Sequence, residues 1–334
     1  MQSGLSYHGH FDIRRDLSRR EFCARTARAA IAATVATPAF AHAEPSAAQK
    51  RQMTLCLTPG SIGVSASQRE TITLAARHGF DAVEPFGNYL ATLSDQEIVD
   101  LKAELESKKM VWGAAGLGVE FRQDDAKFDD GMKSLSKVAT ALRKAGVQRV
   151  GTWLMPCHGA LTYLANFRQH ARRLREVARV LKDHGERLGL EYVGTPTVRN
   201  SRKFPFIHTM AEMKELIAEI GTGNVGLVLD SWHWWIAGDT VEDILSLKNK
   251  DVVSVDLNDA PPGVPKDQQL DGRRELPCAT GVIEAASFLN ALQQIGYDGP
   301  VRAEPFNKTL NDLDNEEACA ATVKTMRKAF ELIR

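Results

Sequence analysis

Long apolar runs are missing from this chain of 334 residues. No stretch approaches the ~18 consecutive apolar residues of a membrane-spanning helix. A net charge is missing as well: 42 basic and 42 acidic residues cancel, and no clustered basic face of the kind that nucleic-acid binding requires is visible. Cysteine is scarce. Cys23, Cys56, Cys157, Cys278 and Cys319 are odd in number and scattered, with no C-x-x-C spacing. That pattern argues against a disulfide framework or a cysteine zinc site, and buried thiols are expected. Neither G-x-G-x-x-G nor a Walker sequence occurs. Thr58-Pro59-Gly60-Ser61-Ile62-Gly63 contains glycine without the required spacing, so it reads as an ordinary loop between a strand and a helix.

What is present is unevenly arranged. Residues 1–43 hold six arginines and three acids, which leaves the remainder with a net charge of −3. Ser18-Arg19-Arg20-Glu21-Phe22 sets two arginines just before an aromatic residue. A weakly apolar run follows from Ala29 to Phe40, and Ala41-His42-Ala43 fits a small-x-small cleavage site. In that order the three features read as a twin-arginine-type signal peptide over residues 1–43, a bacterial export route for folded proteins. The mature chain then begins near Glu44, is periplasmic or exported, and has the twin-arginine export machinery as a partner. The alternative is an arm that stays attached.

From residue 53 onward, short apolar runs alternate with longer amphipathic ones. Strands are predicted at 54–57, 82–84, 111–114, 149–154, 189–193, 225–229, 252–257 and 301–304. Helices are predicted at 68–78, 95–108, 129–145, 166–188, 210–220, 241–247, 283–295 and 316–333. Gly146 and Gly296 each stand between a helix and the next strand, as helix-ending glycines do. Eight strand–helix units, with 43% hydrophobic residues to fill a core, predict an α/β fold: a single-domain (β/α)8 TIM barrel over residues 53–334. A doubly wound open sheet is the competing architecture, and the missing glycine-rich loop counts against it.

A barrel of this kind builds its active site where the strands end. Four consecutive strands end in or beside an acid: Glu191, Asp230, Asp256 (followed by Asn258 and Asp259) and Glu304. One such acid is usually a helix cap or a solvated carboxylate. Four gathered at one barrel mouth would repel strongly unless a cation lay among them. The set therefore predicts one divalent metal ion, and its all-oxygen character favours Mn2+ or Mg2+ over Zn2+.

The same segments resemble the xylose-isomerase-like barrels, a superfamily of sugar phosphate isomerases and epimerases that includes ketose 3-epimerases and hydroxypyruvate isomerase. The resemblance runs from about Met53 to the C-terminus. It is carried by Leu190-Glu191-Tyr192-Val193-Gly194, Leu229-Asp230-Ser231-Trp232-His233, Asn258-Asp259-Ala260-Pro261 with Arg273-Arg274-Glu275-Leu276-Pro277, and Gly296-Tyr297-Asp298-Gly299-Pro300 with Glu304-Pro305-Phe306. It implies metal ligands of the order Glu, Asp, His, Glu, which fall on Glu191, Asp230, Asp256 and Glu304. Asp256 departs from the pattern, standing where a histidine is usual. A Leu-Pro-Gly expected in the loop is Leu276-Pro277-Cys278 here.

The expected activity is that of a divalent-metal-dependent sugar isomerase or epimerase acting on a ketose or keto-sugar through a metal-stabilised enediolate. Glu191 and Glu304 are the catalytic pair, one removing a proton beside the carbonyl and one returning it. His233 is expected to bond a substrate oxygen, with a structural histidine on the first turn of a helix as the alternative. Arg273 is either a substrate contact or a surface arginine. Trp232, with Trp234 and Trp235, is either a wall against which a sugar stacks or plain core. Glu84 is a further candidate for substrate contact, and His158 a weaker one. Two rivals stand: a metal-dependent lyase or hydrolase of a keto-sugar glycoside, which shares the enolate, and a non-catalytic periplasmic sugar-binding protein, which needs no clustered acids. A homo-oligomer is compatible with the chain. An endonuclease is disfavoured, because the mature chain is acidic and its strand ends offer acids rather than histidines.

Overall fold

The computed structural model describes residues 52–334, and the predicted signal segment lies outside them. The parallel strands are β1 (Thr54–Leu57), β2 (Ala82–Val83), β3 (Val111–Trp112), β4 (Ala115–Gly116), β5 (Arg149–Trp153), β7 (Arg187–Glu191), β9 (Val225–Asp230), β10 (Val252–Asp256) and β11 (Pro300–Arg302). β6 (Cys157–His158) and β8 (Phe204–Pro205) form a small antiparallel pair outside the barrel. The sheet order is β3-β2-β1-β11-β10-β9-β7-β5-β4. β3 lies within the predicted third strand, 111–114, and β4 follows just beyond its end. β3 pairs with β2 at Ala82↔Val111, and β4 with β5 at Ala115↔Val150, so the sheet closes on itself through residues 111–116. The split falls at Gly113, where a Cβ would stand 2.5 Å from the Cys56 sulfur. Eight strand positions thus close the predicted barrel.

The sequence chemistry explains the element ends. Ser67 with Glu70 and Ser94 with Glu97 form reciprocal capping boxes at the starts of the helices Gln68–His78 and Asp95–Ser107, each satisfying two otherwise orphaned N–H groups. Gly146, at φ 85°, ends the helix Asp125–Ala145. Most element ends fall within a few residues of expectation, and the largest shift is at one helix. The helix predicted to run over 166–188 is Tyr163–Asp183, because Gly185 turns the chain at φ 81° and β7 begins at Arg187. Apolar residues continue from the helix face into the strand, so hydrophobic spacing alone does not mark the change.

All five residues of β10, and four of the five in β7, are buried, as expected for parallel strands covered on both faces. Among the described residues no helix is long and apolar enough to cross a membrane. Cys56, Cys157 and Cys319 are buried free thiols, and Cys278 is half-buried and also free.

Candidate active site

The strand register brings the four predicted acids together. Glu191 ends β7, Asp230 ends β9, Asp256 ends β10, and Glu304 lies two residues past β11. Asp230 and Asp256 are direct neighbours across the β9–β10 ladder. One oxygen from each of Glu191, Asp230, Asp256 and Glu304 lies within 4.8 Å of the others, and Glu191, Asp230 and His233 form a second such group. Asp230 and Asp256 are 1% and 0% exposed, and Glu191 is 6% exposed.

Two arginines lie among these acids. Arg274 is buried; its Nη1 donates to Asp230 Oδ2 at 2.7 Å and reaches Glu304 Oε2 at 3.5 Å. Its Nη2 donates to Asp271 Oδ1 at 2.8 Å and stands 3.1 Å from His233 Nε2. The guanidinium stacks against Trp232 at 4.7 Å and Phe306 at 5.0 Å. Arg302 is bonded through Nε to Asp256 Oδ1, and through Nη2 to Asp256 Oδ2 at 2.9 Å and Glu304 Oε1 at 3.3 Å. Asn258 ties the set together, donating to Asp230 Oδ2 at 3.1 Å while its own carbonyl accepts from the Glu304 backbone N–H at 2.8 Å. Asp230 also caps the helix Ser231–Ala237, accepting from the Trp232 N–H at 2.6 Å.

Burial, and then the charges of Glu304, Asp256 and Asp230, hold the Glu191 carboxyl well above the usual carboxylate range. Asp230 and Glu304 are also pushed up, by burial first, with the arginines opposing and Asp256 adding to the shift. Burial and Arg274 keep His233 well below its ordinary value, so its imidazole is neutral. Four carboxylates against two guanidiniums leave an excess of negative charge. Glu191 Oε1 is buried with no hydrogen-bond partner. Close oxygen donors, surplus negative charge and one orphaned carboxylate oxygen fit a divalent cation.

Above the cluster opens a cavity of about 520 Å3, with Glu191, His233, Arg274, Arg302 and Glu304 in its lining. Its exposed aromatic faces belong to Trp153 and Phe306, 42% and 38% exposed. Arg122 packs on the Trp153 ring at 4.5 Å. Phe306 adopts φ 44°, a left-handed conformation costing a non-glycine residue roughly 1–2 kcal/mol. A second chamber of about 440 Å3 adjoins across Arg122, Trp153 and Met155, and Asn166 and His170 line it.

Several expected contacts lie elsewhere. Arg273 is exposed and does not line the cavity; its neighbour Arg274 is the buried arginine of the site. Trp232 is wholly buried beneath Arg274 and offers no face to the cavity. Trp234 packs on Phe288, and Trp235 lies under Lys266. No tryptophan wall of the expected kind forms, because a short helix turns these three rings toward different neighbours. Glu84 lines a separate cavity with Pro85 and Gly116, and burial pushes its carboxyl up. His158 lines the adjoining chamber, and its Nδ1 accepts from the Ala160 and Leu161 N–H groups at 3.0 and 2.7 Å. Asp259 anchors a loop, accepting from Thr280, Gly281 and Ile283 N–H groups.

A barrel with its polar cluster at the carboxyl ends of the strands is a known class, and comparison with known proteins identifies the group. Residues 72–329 match the model of the xylose isomerase-like TIM barrel family, and the chain belongs to that family. It is 23% identical over 284 residues to the inosose isomerase of Bacillus velezensis, covering 84% of this chain and 97% of that one. Among solved structures, it is similar to a xylose isomerase domain protein from Alicyclobacillus acidocaldarius, with a TM-score of 0.74 and 30% identity over 84% of this chain and 99% of that one. It is also similar in fold to the IolI protein solved with a bound zinc atom, with a TM-score of 0.69 and 23% identity over 83% of this chain and 98% of that one.

Proposed function

We propose that this protein is a divalent-metal-dependent sugar isomerase or epimerase that moves a proton on the carbon beside the carbonyl of a ketose or keto-sugar. The observation that carries this reading is the pair Glu191 and Glu304, one buried and one half-buried, which line one cavity and whose oxygens gather with those of Asp230 and Asp256. Two carboxylates on one cavity can take a proton from a bound substrate and return it. The kinship with an inosose isomerase supports it.

Glu191, Asp230 and Glu304, with Asp256 beside them, are the residues that would hold the cation, and the similar IolI protein was solved with a bound zinc atom. The all-oxygen donors favour Mn2+ or Mg2+ here. When bound, the cation supplies Lewis acidity that makes a neighbouring C–H easier to ionise. Glu191, whose Oε1 accepts no hydrogen bond, takes the proton. Glu304 returns it, to the opposite face for epimerisation or to the neighbouring carbon for isomerisation. His233, whose Nε2 accepts from Arg274 and whose Nδ1 faces the Gly194 N–H, positions Arg274 rather than meeting a substrate oxygen, and Trp153 and Phe306 offer their faces to the apolar side of the sugar ring. Residues 1–43 deliver the folded protein to the periplasm.

The chamber beyond Trp153 favours a second reading, a lyase or hydrolase of a keto-sugar glycoside, since a free monosaccharide leaves that space unused. Incubating the mature protein with free ketoses, inososes and keto-glycosides, with Mn2+ or with EDTA, and identifying products by NMR tests both. A rearranged free sugar formed only with the metal supports the first reading, and release of an aglycone supports the second. No metal-dependent product from any substrate overturns both and leaves a sugar-binding protein.

A further inference from the structure

The departure at Asp256 has a partner on the adjacent strand. Arg302 is the direct register neighbour of Asp256 across β10 and β11. It bonds both oxygens of that fully buried carboxylate and also reaches Glu304. A two-point guanidinium–carboxylate pair is directional and strong. One guanidinium thus takes both oxygens of Asp256, whereas Arg274 meets one oxygen of Asp230 and the two arginines reach Glu304 only at 3.3 and 3.5 Å. An Asp–Arg pair also carries the same net charge as the neutral histidine usual at this position. Replacing one by the other therefore leaves the charge of the cluster unchanged while removing a ligand from it. Arg302 lines the cavity, and its Nη1 carries N–H bonds that no protein group accepts among the described residues.

We infer that Asp256 is not a metal ligand: three carboxylates, Glu191, Asp230 and Glu304, hold the cation, and Asp256 positions Arg302 to donate through Nη1 to a substrate oxygen beside it. This rests on the metal-dependent reading of the site and refines its donor set. Arg302 takes over part of the work of gripping the hydroxy-ketone, so the substrate oxygen on this side is one that accepts charged hydrogen bonds. Asp256 acts through Arg302 and touches no substrate.

The test is Mn2+ binding to the purified mature protein, followed by the EPR signal of free Mn2+, with thermal unfolding as the check on folding. The charge-neutral double variant Asp256→Asn/Arg302→Gln keeps Mn2+ affinity within about tenfold of wild type, whereas Glu191→Gln weakens it at least about a hundredfold. A second variant, Asp256→His/Arg302→Val, adds a ligand and tightens binding at least about tenfold. KM for a processed ketose rises at least about tenfold in the double variant, since Arg302 no longer meets the substrate. Loss of Mn2+ by Asp256→Asn/Arg302→Gln as severe as in Glu191→Gln overturns the inference, as does no gain on introducing the histidine. Wild-type protein that binds none of Mn2+, Mg2+ or Zn2+ overturns the metal reading itself, a result recognisable before any variant is made.

Discussion

Replacing Arg274 by glutamine removes the cation that three carboxylates share. Arg274 is 2% exposed and lies 2.7 Å from Asp230, 2.8 Å from Asp271 and 3.5 Å from Glu304. Removing one partner of a buried ion pair costs roughly 3–5 kcal/mol, because the remaining charge stays buried and uncompensated. For a domain of this size each kcal/mol moves the melting temperature by roughly 2–4 °C, so Arg274→Gln melts roughly 6–20 °C below wild type in EDTA at neutral pH. The deficit is electrostatic and therefore recoverable. Mn2+ raises the melting temperature of the variant more than that of wild type, since the ion replaces a missing charge. Acidification also narrows the gap, because protonating the raised carboxylates Glu191, Asp230 and Glu304 relieves the same repulsion. Thermal unfolding followed by circular dichroism reads all three. A loss below about 1 kcal/mol, or equal Mn2+ shifts in the two proteins, refutes the view that Arg274 balances the charge of this cluster.

Three further outcomes are expected. Trp153→Ala removes an exposed ring from the cavity and weakens substrate binding about tenfold, seen as a raised KM with kcat little changed. Glu186 is buried with neither carboxylate oxygen hydrogen-bonded, and burial pushes it up to about 8. Its folded pKa lies above the unfolded one, so the folded state loses stability as pH rises from about 4.5 to 8; Glu186→Gln is therefore more stable than wild type at pH 8, by roughly 2–4 kcal/mol, and the advantage vanishes at pH 4 in denaturant titrations. Asp259→Ala deprives the Thr280, Gly281 and Ile283 N–H groups of their acceptor, which costs roughly 2–4 kcal/mol of stability and exposes that loop to proteolysis.

The barrel and its acids were legible because both rest on local patterns. Strand–helix alternation is written in apolar spacing, and each acid stands at the end of an apolar run. The break in the sheet at Gly113 is set from outside the segment, by a sulfur on another strand. The arginines were harder. Arg273 and Arg274 are adjacent, and only the fold decides which is buried. Arg302 had a readable signal: it lies two residues before Glu304, so strand parity sets both on one side of β11. The exposed aromatic faces in the cavity are those of Trp153 and Phe306 rather than of the tryptophans after Asp230, since a short helix buries Trp232 under Arg274.

The central claim is proton transfer by carboxylates at the barrel mouth, and solvent deuterium exchange tests it most directly. The mature protein with Mn2+ is incubated in D2O with a panel of ketoses and keto-sugars, and loss of the C–H signal beside the carbonyl is followed by NMR. Exchange is expected to need the metal and to fall by about a hundredfold or more in Glu191→Gln, with folding intact. Exchange that persists undiminished in Glu191→Gln, or is absent from every substrate with metal bound, contradicts it.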